Sequence, residues 1–159
     1  MSSVTIREAV ASDAEAMADL HIRAIRVGAR DHYSPEHLET WAGPITPEGH
    51  GRMVEDPSLQ VWVAVDEGQV VGFVSYVPAE QRLSLLYVDP DRFRQGIGTL
   101  LTQHVLEFAQ SLAHREVLVT ASHLSKGVFE RCGFVVVEVL EKPMRGLVFE
   151  CFAMRADLA

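Results

Sequence analysis

Uninterrupted apolar sequence is scarce in this chain of 159 residues: the longest run is five residues, Val61 to Val65. A membrane-crossing helix needs about 20, so no membrane partner is expected. The opening stretch, Met1 to Asp13, has neither a basic segment nor an apolar centre. No secretory signal is read there, and a cytoplasmic location is expected. Cysteine is almost absent. Cys132 and Cys151 form no CxxC pair and no zinc-ligand spacing, and they read as reduced thiols. The histidines show no HxH or HExxH pattern, so no metal is expected. Positive charge is also in deficit, with 14 Lys and Arg against 22 Asp and Glu and a net charge of -8. A nucleic-acid surface needs a positive footprint, and none is visible globally.

What the chain does have is ordinary globular composition, 48% hydrophobic and 23% charged, which argues against disorder. Its length fits a single domain over residues 1–159 that buries about 70% of the unfolded surface.

Val4 to Arg7 reads as a short strand. Ser12, with Glu15 three residues on, reads as a capping box for a helix running to about Gly28. Ser34-Pro35-Glu36 and Thr46-Pro47-Glu48 are two further helix starts, each with a hydroxyl cap and proline in the first turn. Gly49 and Gly51 weaken the second. The period then changes to two. Leu59 to Val65, Val70 to Val77 and Leu83 to Val88 read as three antiparallel strands, the first two joined at Asp66-Glu67-Gly68-Gln69. From Ile97 to Leu112 apolar residues return at helical spacing, with His104 on the packed stripe. Glu116 to Ala121, Phe134 to Leu140 and Val148 to Met154 complete the strands, with a short helix near Ser125 to Cys132. The layout is α+β around a largely antiparallel sheet.

The chemically loaded stretch runs from Val88 through Asp89-Pro90-Asp91-Arg92-Phe93-Arg94-Gln95-Gly96-Ile97-Gly98-Thr99. A strand ends at proline, and a basic loop with two glycines feeds an amphipathic helix. The first amides of a helix lack internal acceptors, and the helix dipole adds positive charge there. Glycine lets those amides approach an anion closely. A pyrophosphate suits this arrangement. Taken alone the pattern reads equally well as a glycine-capped helix beside two solvated arginines. It is no dinucleotide fingerprint, because Leu101 stands where the third glycine belongs, and no Gly-Lys-Ser/Thr follows.

The stretch resembles motif A of the GNAT N-acetyltransferase superfamily, with Val88, Pro90, Gly96 and Gly98 in register. Ala121 to Phe134 resembles motif B, and Tyr33 to Trp41 is similar to a segment of one bacterial subgroup. The resemblance implies a mixed sheet of about six or seven strands with about four helices, the fourth and fifth strands being parallel and splayed. It implies acetyl-CoA as co-substrate, with its pyrophosphate on Phe93, Arg94, Gln95, Gly96, Ile97, Gly98 and Thr99 and its pantetheine beside Leu86, Tyr87 and Val88. The Val88 amide is then the donor that polarises the thioester carbonyl. The implied reaction is direct acetyl transfer to an amine or peptide acceptor, with homodimerisation through the last strands a further feature of the superfamily.

Two positions depart from the motifs. Phe93 replaces an arginine or glutamine, leaving Arg92 and Arg94 to supply charge. Phe129, a cofactor-side residue here, replaces the tyrosine that protonates the departing thiolate. Cys132, Ser125 and Ser122 are substitutes close by in sequence, and solvent is another. Ser84 stands where the subgroup carries an acid, which leaves Glu80, His32 and His123 as bases, with His123 favoured. Tyr33 and Trp41 are candidate walls of the acceptor site, with Trp62 and Tyr76 on the central strands, of which Trp62 is expected to be core packing. Phe129 and Ser84 also motivate an alternative, an acyl-CoA-binding module without turnover.

Overall fold

The computed structural model describes residues 3–159; Met1 and Ser2, part of the opening stretch read for a signal, lie outside the described residues. Seven strands form one sheet: β1 (Thr5–Glu8), β2 (Gln60–Asp66), β3 (Gln69–Val77), β4 (Arg82–Val88), β5 (Glu116–Ala121), β6 (Val135–Met144) and β7 (Leu147–Asp157). Their order is β1-β2-β3-β4-β5-β7-β6. Every neighbouring pair is antiparallel except β4 with β5. The helices are α1 (Ala14–Arg23), α2 (Pro35–Ala42), α3 (Pro47–Glu55), α4 (Ile97–Ser111) and α5 (Lys126–Arg131). This is the mixed α+β layout read from the sequence, and α3 is well formed despite its two glycines. Thr46 supplies the reason: its hydroxyl accepts the Gly49 N–H at 3.0 Å and fixes the first turn. Ser34 caps α2 likewise, accepting the His37 N–H at 3.2 Å.

One cap differs from the reading. Ser12 lies inside a 3-10 turn, Ala11–Asp13, and does not cap α1. Asp13 stands at the N-cap of α1, but its carboxylate turns back to close the 3-10 turn, accepting the Val10 N–H at 2.8 Å while also binding Arg7. A carboxylate already held by a guanidinium is the better-fixed acceptor. Past Arg23 the helix loosens into one π-helical turn, Ala24–Gly28.

The sheet is covered on both faces, and β2 shows how. Trp62 and Ala64 face α4, in one cluster with Leu101, Val105 and Phe129. Val61 and Val63 face the other way, with Met17, Leu20 and Phe73. That is the period-two alternation of a strand. Ile97, Leu101 and Val105 are fully buried along α4. Each such side chain contributes about 1.5–3 kcal/mol, so the start of α4 is fixed by the core. His104 packs edge-on to Trp62 at 4.8 Å, a packed stripe residue as read.

Tyr76 corrects an expectation. It is no wall of a ligand site but wholly buried, its hydroxyl 2.7 Å from His114 Nδ1. Burial pushes its pKa up to about 12. Trp62 is likewise core.

Candidate active site

β4 and β5 are paired only at Arg82 with Leu118 and Leu83 with Val119. Beyond that they part. A bulge helps: Ser75 faces Leu85 while Tyr76 faces Leu83, so Ser84 is an extra residue in β4. Past the bulge β4 keeps only β3 as a partner. The Asp89 N–H reaches Val71 O on β3, so alternation turns the N–H groups of Val88 and Leu86 away from β3 and into the gap. Two cavities meet there, sharing Leu86, Tyr87, Leu124 and Ser125.

The first, of about 220 Å³, runs from Leu86-Tyr87-Val88 to the start of α4. Phe93, Arg94, Gly96, Ile97, Gly98 and Thr99 line it; the Gln95 side chain does not. Among the described residues, no backbone N–H from Arg94 to Thr99 donates to a backbone or side-chain acceptor. Arg94 (φ 67°) and Gly96 (φ 81°) turn the loop through the left-handed region, which glycine adopts freely and arginine does not. Gly98 is constrained differently. A Cβ there would lie 3.3 Å from Val128 and 3.7 Å from Val88, so glycine lets α4 sit against both α5 and β4. A row of unpartnered amides at a helix start, with arginines beside it, fits a diphosphate.

Charge at this end differs from the sequence reading. Arg92 lines the cavity as read, but Asp66 partly neutralises it in an ion pair. Arg94 lines the cavity, and so does Arg131 from α5, which lies within the motif B segment but was not singled out as a site residue. Phe93 gives no polar contact. Its ring packs against Gly28, where a Cβ would come within 2.6 Å of it.

The second cavity, of about 200 Å³, lies on the other side of the gap. Tyr33, Trp41, Tyr87 and Phe149 form an aromatic wall, and Ser84, Ser122, Ser125, Lys142 and Glu150 supply polar groups. Tyr33 packs edge-on to Trp41 at 5.3 Å. Its oxygen accepts the His123 N–H at 3.0 Å. Burial holds the Tyr33 and Tyr87 hydroxyls above their ordinary pKa. Phe129 closes the floor, fully buried against Phe134.

His123 itself stands behind this wall. Its ring packs on Phe152, and its Nε2 lies 3.0 Å from Glu150 Oε1, which does line the cavity. His32 stacks on His123 at 6.0 Å. Glu80 is 3.9 Å from Arg82, away from both cavities. Cys132 contacts Thr99 and Thr102 on the inner side of α4 and lines neither cavity. Cys151 does line the second, but burial raises its thiol pKa and keeps it protonated. Lys142 and Glu150 were missed because they reach the second cavity only once the β6–β7 hairpin folds beside the gap. The surplus of β-branched residues in that hairpin was the only signal.

Residues 29–156 match a family model described as an acetyltransferase (GNAT) domain. An uncharacterized N-acetyltransferase of Escherichia coli K12, YafP, is 32% identical over 155 residues, covering 98% of this chain and 97% of that protein. Among solved structures, a GCN5-related N-acetyltransferase from Rhodopseudomonas palustris superposes with a TM-score of 0.90 at 24% identity, covering 99% of this chain and 98% of that one. The PaiA N-acetyltransferase of Thermoplasma acidophilum, solved in complex with coenzyme A, has a TM-score of 0.77 at 17% identity, covering 98% and 99%.

Proposed function

The chain belongs to the GNAT acetyltransferase family and is an N-acetyltransferase, and from that premise we propose that it moves an acetyl group from acetyl-CoA to a primary amine by direct attack. The unpartnered amides from Arg94 to Thr99 at the start of α4 carry this reading. They bind the diphosphate, with Arg94 and Arg131 adding charge. The pantetheine arm lies along Leu86-Tyr87-Val88, whose free edge accepts it as an added strand. The thioester then sits in the shared neck of the two cavities, and the Val88 N–H polarises its carbonyl. A donor of this kind lowers a barrier by about 3 kcal/mol.

The amine enters from the second cavity, between Tyr33 and Trp41, with Glu150 at its polar side. An ammonium must lose one proton before it attacks. The His123–Glu150 pair is placed to take that proton, with Glu150 facing the cavity and His123 behind it. Direct attack needs no acyl-enzyme, and burial raises the Cys151 thiol pKa, which makes it a poor nucleophile.

The test is direct. Purified protein should gain thermal stability with CoA, and should release CoA from acetyl-CoA only when an amine is present, in a panel of spermidine, a lysine-containing peptide and tyramine. Failure to bind CoA overturns the reading. Binding without transfer to any amine would favour the alternative of an acyl-CoA-binding module.

A further inference from the structure

A second proton has to move in thioester aminolysis. When a neutral amine adds to the carbonyl, nitrogen becomes cationic and the oxygen anionic. As the C–S bond breaks, the thiolate takes up one proton and the nitrogen gives one up. Phe129 occupies the floor where the family's tyrosine would stand, and Tyr87 at the neck is buried with its hydroxyl engaged by Trp41. The gap does hold other hydroxyls.

Three of them are in line. The Tyr33 oxygen accepts the His123 N–H at 3.0 Å, which sets the phenol beside the adjoining residue Ser122, one of the groups acting on it. Ser122 Oγ accepts the Leu124 N–H at 3.2 Å and lies 3.4 Å from Ser125 Oγ. Ser125 Oγ accepts the Ser122 N–H at 3.2 Å. Each oxygen is therefore held by a backbone amide, and each keeps its own proton to donate onward. Tyr33 lines the acceptor cavity alone, whereas Ser125 lines both cavities at their shared neck. Ser125 is also one helical turn before Phe129, on the same side of α5.

We propose that Tyr33, Ser122 and Ser125 form a directed hydroxyl relay that carries a proton from the acceptor nitrogen to the coenzyme A sulfur. This rests on the acetyl-transfer reading above. In one concerted shift the N–H proton passes to Tyr33, the Tyr33 proton to Ser122, the Ser122 proton to Ser125, and the Ser125 proton to sulfur. The C–S bond breaks, the carbonyl re-forms, and the products are the amide and the neutral thiol. Every hydroxyl ends as it began, so no charged side chain is needed. The relay starts after addition, and so is separate from the proton taken by His123 and Glu150.

The experiment measures kcat, KM for acetyl-CoA and the rate in H2O–D2O mixtures, with whichever amine of the panel turns over. Ser125→Ala should lower kcat at least tenfold, toward the about 10²-fold that a positioned acid contributes, with KM for acetyl-CoA within twofold. Ser125→Thr, which keeps the hydroxyl, should recover most of it. The wild-type rate should curve with deuterium fraction, as a multi-proton step does, and Ser122→Ala should straighten the curve. CoA-induced thermal stabilisation, unchanged in each variant, reports that the fold is intact. A Ser125→Ala protein with wild-type kcat and a curved isotope plot overturns the relay while leaving the transferase standing. A wild-type protein that transfers to no amine removes the reading on which both depend.

Discussion

Arg23 grips Asp89 with both terminal guanidinium nitrogens, at 2.9 and 3.0 Å. The pair joins the last residue of α1 to the first residue after β4. Asp89 also accepts the Asp91 N–H at 2.9 Å, which shapes the turn leading into the proposed diphosphate loop. Arg23→Met should therefore loosen that loop. Both side chains are partly exposed, so the loss of stability should be only about 1 kcal/mol, read as a lower urea midpoint. The CoA dissociation constant should rise several-fold. Arg23 is also the main reason the Asp89 carboxyl titrates below the usual range. A depressed carboxyl contributes stability above its unfolded pKa of about 4 and loses it as pH falls through the folded value. The variant should thus be less sensitive than wild type to acid below about pH 4.

Gly96 and Gly98 make opposite predictions for the same loop. Gly96 has a positive φ but open space where a side chain would go. Gly96→Ala should cost about 1–2 kcal/mol of local strain, which the open loop can shed by relaxing out of the left-handed conformation, so that CoA binding weakens about tenfold while the melting temperature falls less than in Gly98→Val. Gly98 has an ordinary φ but closely packed neighbours. Gly98→Val should push α4 from α5 and β4, lowering the melting temperature as well as abolishing CoA stabilisation. Calorimetry with and without CoA separates the two.

His21 and His50 form a buried pair, Nδ1 to Nε2 at 3.0 Å, with the His21 ring 3.8 Å from Tyr87. Burial, with the neighbouring imidazole, pulls the His21 pKa down to about 3. The folded state therefore excludes a proton that the unfolded chain accepts at about 6.5, so stability is complete above that pH and falls with acidification. Each pH unit between about 6 and 3 removes about 1.4 kcal/mol through this group. Urea midpoints at pH 7 and pH 5 should differ accordingly, and His21→Leu should flatten the difference while being less stable at pH 7.

What could be read in the sequence was what local chemistry decides. Ser34 and Thr46 cap helices because the hydroxyl, the proline and the acid are neighbours in the chain. The loop proposed to hold the diphosphate was legible for the same reason, since strand end, glycines and helix start are contiguous. Residues brought together by topology were not. Nothing near Ser84 in Leu83-Ser84-Leu85 marks a bulge, because the bulge depends on which β3 residue each one faces. Tyr76 and Tyr33 are equally aromatic, yet one is buried on His114 and the other faces a cavity. Arg92 and Arg94 looked equivalent until Asp66 folded onto Arg92.

β6 is the outer strand of the sheet, and Val135, Val137 and Val139 are exposed on it at 58%, 59% and 56%, around a bulge at Val137 that turns Val135 and Val139 to opposite faces. An apolar edge of this kind pairs readily with another strand. We expect concentration-dependent dimerisation by light scattering, reduced by Val137→Lys. A monomer at every concentration would show that this edge pairs with nothing.

His123 and Glu150 predict a pH dependence that sets them apart from the hydroxyl relay. Their proposed task is to remove the first proton from an ammonium. At neutral pH a lysine-like amine, with a pKa of about 10.4, is almost entirely charged. His123→Asn should then lower kcat/KM for the amine about 10²-fold at pH 7. As pH rises toward 10 the amine loses its own proton, and the deficit should shrink to a few-fold. A relay variant has no such recovery, because the proton it moves is created only after the amine has added. Parallel pH–rate profiles of His123→Asn and Ser125→Ala therefore assign the two proton transfers separately. Identical profiles would mean that one of the two routes carries neither.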